Sequence, residues 1–289
     1  MITPHSRAIL DRYALASKAL SQRTGEKSSS EAGQSVEFHD FRPYQYGDEL
    51  RYVDWKVYAR TGRLYTRLYQ AERNIALYIV LDTSASMSLG AKARYANMVA
   101  QLLSYVAQRD SVSQVHFFNG ESNQPVHGRN KIGETWNFIE AAPELSGTDV
   151  TPVSALKNFA LNSRFQEGAG LALIISDLFD EASLQPALVA LKTRGLDASF
   201  LQVMAEADLE PEEGRLEVVD VETGEKLVVG IEEVRAYKRA VHDFIERSRS
   251  AILRAGFRHV LLRASDHSDD VLERRAFAEL IKAGVLTKR

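Results

Sequence analysis

The stretch Ile75-Ala76-Leu77-Tyr78-Ile79-Val80-Leu81-Asp82-Thr83-Ser84-Ala85-Ser86-Met87 decides the fold. Seven apolar residues in a row predict a strand over Ile75–Leu81 that is buried on both faces, as in a sheet covered by helices. That strand runs directly into one carboxylate and two hydroxyls, Asp82, Ser84 and Ser86, spaced two residues apart. Downstream, the alternation of strand and helix continues. Lys92 to Arg109 places Tyr95, Met98, Val99, Leu102, Leu103 and Val106 on one stripe of a helix. Val112–Phe118 reads as a second strand, and Ile132–Ala142 and Pro152–Phe165 as helices, the latter with Thr151 as N-cap and Pro152 in the first turn. Leu171–Ser176 is a buried strand, Glu181–Arg194 a helix ending at Gly195, and Ala198–Val203 a strand. Arg215–Val229 alternates around Glu222-Thr223-Gly224-Glu225, the pattern of a hairpin inserted at one edge. Glu232–Ala255 is a long helix stopped by Gly256, His259–Leu262 a last strand, and Asp269–Ala283 a last helix with Gly284 past its end. This order predicts an α/β fold, a mostly parallel sheet with helices on both faces.

Upstream the character changes. Ile9, Leu10, Tyr13, Ala14 and Leu20 fall at helical spacing over Ser6–Leu20, and Thr24–Ser35, rich in Ser, Gly and charge, reads as a flexible linker. Phe38 to Glu72 is crowded with Tyr, Trp and Arg and punctuated by Pro43, Gly47 and Gly62, which suits short strands and turns. The expected organisation is a helix and linker over 1–35, a strand-rich accessory segment over 36–73, and the α/β domain over 74–289.

Composition narrows the chemistry. The chain has 289 residues, a formal net charge of -3 and no cysteine, which removes disulfides, thiolate metal sites and a cysteine nucleophile. The longest apolar runs, Ile75–Leu81 and Leu171–Ile175, fall far short of the roughly 20 residues that span a bilayer, so no transmembrane segment is expected. Met1–Arg12 lacks the apolar core of a signal peptide, and a cytoplasmic protein is expected. Arginines and aromatics interleave between Phe38 and Arg73 as in some single-strand binders, but Asp48, Glu49, Asp54 and Glu72 offset the charge, and no nucleic-acid partner is expected. A small strand-rich subdomain packed against the sheet, with arginines paired to local acids and aromatics filling the seam, or an exposed docking surface, are the two remaining readings of this segment.

Ligands of open α/β sheets bind beyond the carboxyl ends of the strands, where strand order reverses. Asp82, Ser84 and Ser86 leave such an end, and hard oxygens of this kind suit magnesium, with manganese or calcium as alternatives. By themselves they serve equally well as a turn that caps the next helix. Asp177, directly after the strand Leu171–Ser176, and Ser146-Gly147-Thr148-Asp149, before a helix, add two further oxygen-bearing loops and favour a metal.

The D-x-S-x-S loop after a hydrophobic strand, Thr148 some sixty residues later and Asp177 ending the next strand resemble the metal-ion-dependent adhesion site (MIDAS) of von Willebrand factor A-like domains. Phe41-Arg42-Pro43-Tyr44, Tyr46-Gly47-Asp48-Glu49, Arg51-Tyr52-Val53-Asp54-Trp55 and Ala59-Arg60 resemble the signature of the bacterial family catalogued as domain of unknown function 58. The resemblance implies that Ser84 and Ser86 contact a divalent ion directly, Thr148 directly or through water, and that Asp82 and Asp177 sit in its first or second shell. It implies an open position filled by an acidic residue of a protein partner, and a partner of the MoxR-type AAA+ ATPase class. The match at Asp177 is looser, because Gly follows this Asp in many such domains and Leu178 does here; Asp149 and Asp180 are the alternatives. The expected function is a non-enzymatic adaptor or co-chaperone, since no catalytic base is evident near these loops. A metal-dependent phosphoesterase on the same carboxylates, and a scaffold with a vestigial site, are the rival readings.

Overall fold

The computed structural model describes residues 4–16, 38–69, 76–109, 111–143, 150–165, 170–180, 182–211, 216–219 and 226–288. It divides into two compact units, one of Met1–Gln22 with Ile75–Arg289 and one of Arg23–Asn74. The elements, in chain order, are α1 (Pro4–Leu10), β1 (Tyr13–Leu15), β2 (Phe38–Pro43), α2 (Trp55–Thr61), β3 (Tyr65–Tyr69), β4 (Ala76–Leu81), α3 (Lys92–Ala107), β5 (Val112–Phe117), β6 (Val126–His127) and α4 (Ile132–Glu140). There follow α5 (Pro152–Asn162), β7 (Gly170–Ser176), α6 (Gln185–Thr193), β8 (Asp197–Ala205), α7 (Glu206–Leu209), β9 (Leu216–Val219), β10 (Lys226–Val229), α8 (Ile231–Arg254), β11 (Arg258–Ala264), α9 (Asp269–Lys282) and β12 (Leu286–Lys288).

The larger unit is an α/β fold around a six-stranded sheet of order β11-β8-β7-β4-β5-β6, in which only β6 runs antiparallel. All six residues of β4 and all seven of β7 are buried, which is why both read as unbroken apolar runs. Leu77, Ile79 and Leu81 of β4 face a core shared with α3 and α9, while Tyr78 and Val80 face one shared with α5 and α6. From β4 the chain goes to β5 on one side, whereas β7 leads to β8 and β11 on the other. Strand order therefore reverses between β4 and β7, and the helices that follow these two strands pack on opposite faces.

Several elements differ from expectation for identifiable reasons. The N-terminal helix stops at Leu10 because Tyr13–Leu15 pairs antiparallel with Leu286–Lys288, and Tyr13 packs edge-on against Phe277 at 4.7 Å. Helix α6 starts at Gln185 rather than Glu181, with Pro186 in its first turn. The hairpin β9–β10 forms its own two-stranded sheet; its turn over 220–225 lies outside the described residues, as does the linker over 24–35. The smaller unit is not only strands. Between the antiparallel pair β2–β3 it carries α2, begun by Asp54, whose carboxylate accepts from Lys56 N (2.9 Å) and Val57 N (3.0 Å), and ended by Gly62 at φ 66°. Among the described residues no helix is long and apolar enough to cross a membrane.

Candidate metal centre

The reversal point brings together the carboxyl ends of β4 and β7, and with them Asp82 and Asp177. The ladder extends one residue beyond β4, with Asp82 N donating to Ile175 O (2.9 Å). Both Asp82 oxygens are engaged: Oδ1 accepts from Ser84 N (2.8 Å), and Oδ2 from Ser176 Oγ (2.5 Å). Ser176 Oγ in turn accepts from Leu178 N (2.8 Å), so one hydroxyl ties the two strand ends together. Burial, and then the neighbouring Asp177 carboxylate, push the Asp82 carboxyl up to about 7, against the hydrogen bonds from Ser176 and Ser84.

Beyond Asp82 the chain makes a 3-10 turn over Ala85–Ser88, and Gly90, at φ 60°, swings it into α3. Ser84 occupies the N-cap of that turn, yet its side chain makes no capping hydrogen bond. Its hydroxyl lies instead 3.1 Å from Ser86 Oγ, and both side chains are partly exposed. Neighbouring ligands of an octahedral ion at about 2.1 Å stand about 3 Å apart, so two hydroxyls at this spacing fit one edge of a magnesium shell. Among the described residues no three His, Cys, Asp or Glu side chains form a metal cluster; an ion here depends on hydroxyls for its remaining ligands. The donor set (hydroxyls beside a buried carboxylate) is that of a hard cation, and it fits.

Of the expected ligands, Asp82, Ser84, Ser86 and Asp177 lie on this rim; Thr148 and the alternative Asp149 fall outside the described residues. Asp180, the other alternative, has a different task. Its Oδ2 accepts from Val153 N (2.9 Å) and its Oδ1 from Ala182 N (2.8 Å), fastening the start of α5 to the loop after β7. Asp177 is fully buried, and its Oδ1 accepts from Phe179 N (3.1 Å). Leu178 is the one non-glycine residue at positive φ among those described, at 61°, a conformation that glycine adopts without steric cost.

The family described as "Protein of unknown function DUF58" matches residues 40–250. The chain belongs to the DUF58 family. Two mycobacterial relatives, uncharacterized protein Rv1480 of Mycobacterium tuberculosis and uncharacterized protein Mb1516 of Mycobacterium bovis, are each 26% identical over 212 residues, 68% of this chain and 62% of theirs. The chain thus spans less than two thirds of the length of these relatives. A crystal structure of an aerotolerance-related membrane protein from Bacteroides fragilis, bearing multiple mutations to serines, is a distant likeness, with a TM-score of 0.42 and 16% identity over 72% of this chain and 100% of that one.

In this DUF58 chain the aromatic and arginine signature has a structural explanation. Asp48 Oδ2 accepts from Gln45 N (3.0 Å) and Thr66 Oγ1 (2.9 Å), while Arg42 Nη2 donates to its Oδ1 at 2.5 Å. Those bonds, the Gln45 amide foremost, hold the Asp48 carboxyl below its usual range. Arg67 pairs with Asp54 at 3.0 Å and Arg51 with Glu49. Arg42, Arg51 and Arg67 are each paired with a local acid, whereas Arg60 donates to the Lys56 carbonyl, and Tyr46, Leu50, Trp55 and Tyr58 remain exposed.

One residue of the DUF58 rim escaped sequence reading. Lys92, at the start of α3, donates from Nζ to Asp177 Oδ2 at 2.9 Å, with side-chain exposures of 1% and 0% for the two partners. Its signal was register: Lys92 precedes Tyr95, Ala96 and Val99 by three, four and seven positions and so continues the helix's buried stripe.

Proposed function

We propose that the rim formed by the loops after β4 and β7 is a divalent-metal site of the von Willebrand factor A-like, MIDAS type, and that the protein is a non-enzymatic adaptor. The observation that carries this reading is the pair of serine hydroxyls, 3.1 Å apart, turned toward each other rather than used to cap a turn, beside a buried carboxylate at the sheet's reversal point. Ser84 and Ser86 would hold magnesium (or manganese or calcium) directly, with Thr148 added by the resemblance, while Asp82 and Asp177 orient the waters and hydroxyls around it. Such an ion supplies a Lewis-acidic position for an acidic side chain of a protein partner. The family resemblance points to a MoxR-type AAA+ ATPase as the partner class. The non-enzymatic part is supported by the two strand histidines: His116 is packed among Tyr78 and Phe159, and His259 Nε2 lies 2.9 Å from Gln202 Oε1.

Asp82→Asn is the discriminating variant, because its carboxamide oxygen still accepts from Ser84 N or Ser176 Oγ while the charge is removed. Calorimetry should show magnesium binding to the native chain and at least a tenfold loss in the variant, with capture of a purified MoxR-type ATPase lost in parallel and in EDTA. Capture that is equally strong in EDTA contradicts the bridging ion. Turnover of phosphate esters that disappears in Asp82→Asn contradicts the adaptor. One observation favours a second reading, a scaffold whose site no longer takes metal: Asp177 already has a cation, Lys92, beside it.

A further inference from the structure

A lysine ammonium withdrawn from water carries a large desolvation penalty that only close partners offset. Lys92 has such partners. Its Nζ lies 2.9 Å from Asp177 Oδ2 and 3.5 Å from Asp208 Oδ2, and 5.7 Å from the centre of the Phe179 ring. Phe179 stacks on Phe244 at 4.9 Å. Asp208 is itself positioned, accepting from Ala205 N at 3.3 Å. The ammonium therefore joins the segments that follow three adjacent strands: Lys92 comes after β4, Asp177 after β7 and Asp208 after β8.

Well-packed apolar residues often serve as well as, or better than, a buried pair of this kind, so stability is a weak reason for its presence. Its effect on charge is direct. Asp82, Asp177 and Asp208 alone would bring three negative charges to this end of the sheet; with Lys92 paired to the last two, they bring two. Both Asp177 oxygens are also in use, one by Lys92 and one by the Phe179 amide.

Building on the metal reading above, we infer that Lys92 is a positioning residue that sets the rim's affinity for a divalent cation by holding Asp177 as an ion-paired carboxylate. The rim then offers a cation two hydroxyls and one unpaired acid. The rest of the cation's demand for negative charge is left to the partner's carboxylate, so cation and partner bind each more tightly when both are present.

Manganese binding to the full chain, read from the electron paramagnetic resonance of the free ion, tests this with four proteins: native, Lys92→Met, Asp177→Asn and the double variant. Removing the buried positive charge should tighten manganese binding at least about tenfold in Lys92→Met. Asp177→Asn should weaken it by a similar factor, and the double variant, which restores the native charge, should return to near the native affinity. Should Lys92→Met not fold, the comparison moves to the double variant, which must bind at least about tenfold tighter than Asp177→Asn. Folded Lys92→Met binding manganese no better than native overturns the inference and leaves the metal reading intact. Binding by none of the four overturns both. Binding by Lys92→Met but not by the native chain supports Lys92 as the controlling charge and overturns the proposed metal function.

Discussion

Leu178, directly after Asp177 in the loop that follows β7, holds a conformation that costs an L-residue about 1–2 kcal/mol, and its side chain is buried. Two effects therefore oppose each other in any substitution there. Leu178→Ala keeps the strain and loses the packing, which should destabilise the fold by about 2–4 kcal/mol in urea unfolding. Leu178→Gly loses the same packing but releases the strain, so it should be at least as stable as the alanine variant. Elsewhere glycine is the worse of the two by about 1 kcal/mol, and finding that ordinary order here would show that the loop is unstrained. Asp82, Ser84, Ser86 and Asp177 could be read from sequence because they directly follow long apolar strands. Lys92 could not, because a lysine in the first turn of a helix ordinarily faces water, and only its register betrays it.

Long elements were legible in proportion to how much they bury. The strands β4 and β7 and the helices α3, α8 and α9 announce themselves by unbroken or periodic apolar residues, and the structure shifts most of their ends by a residue or two. The short strands β1, β6 and β12 were not legible, since two or three residues carry no period and these strands exist only through their partners. Helix α2 was missed because aromatic and arginine residues obscure a seven-residue pattern, although Asp54 and Gly62 mark its two ends. Asp54 serves both α2 and β3, through Arg67. Asp54→Ala should therefore speed hydrogen exchange at the amides of Lys56 and Val57, with Asp54→Asn, which keeps an acceptor, falling between the two. Unchanged exchange in the alanine variant would mean that the cap does not hold this helix.

Across the whole molecule, buried histidines make folding sensitive to acid. Burial lowers His116 to about 4, and burial with Arg249 does the same for His259. Between pH 6.5 and about 4 the unfolded chain binds protons at these sites that the folded chain does not, so their contribution to stability is lost as pH falls through that window, by at most about 1.4 kcal/mol per pH unit for each ring. Asp82, raised by its burial, acts in the opposite sense over much of the same range, so the clean readout is a difference: His116→Phe should flatten the acid limb by up to one proton relative to the native chain. Equal slopes would show that His116 is protonated in the folded protein. The proposed role of the molecule, a metal-dependent bridge to an acidic partner, rests on the loop that ends β4. The most direct measurement is anomalous diffraction from crystals grown with manganese. A peak about 2.2 Å from both Ser84 Oγ and Ser86 Oγ, next to Asp82, is the expected result; a rim without a peak at millimolar manganese, with Lys92 still on Asp177, would contradict it.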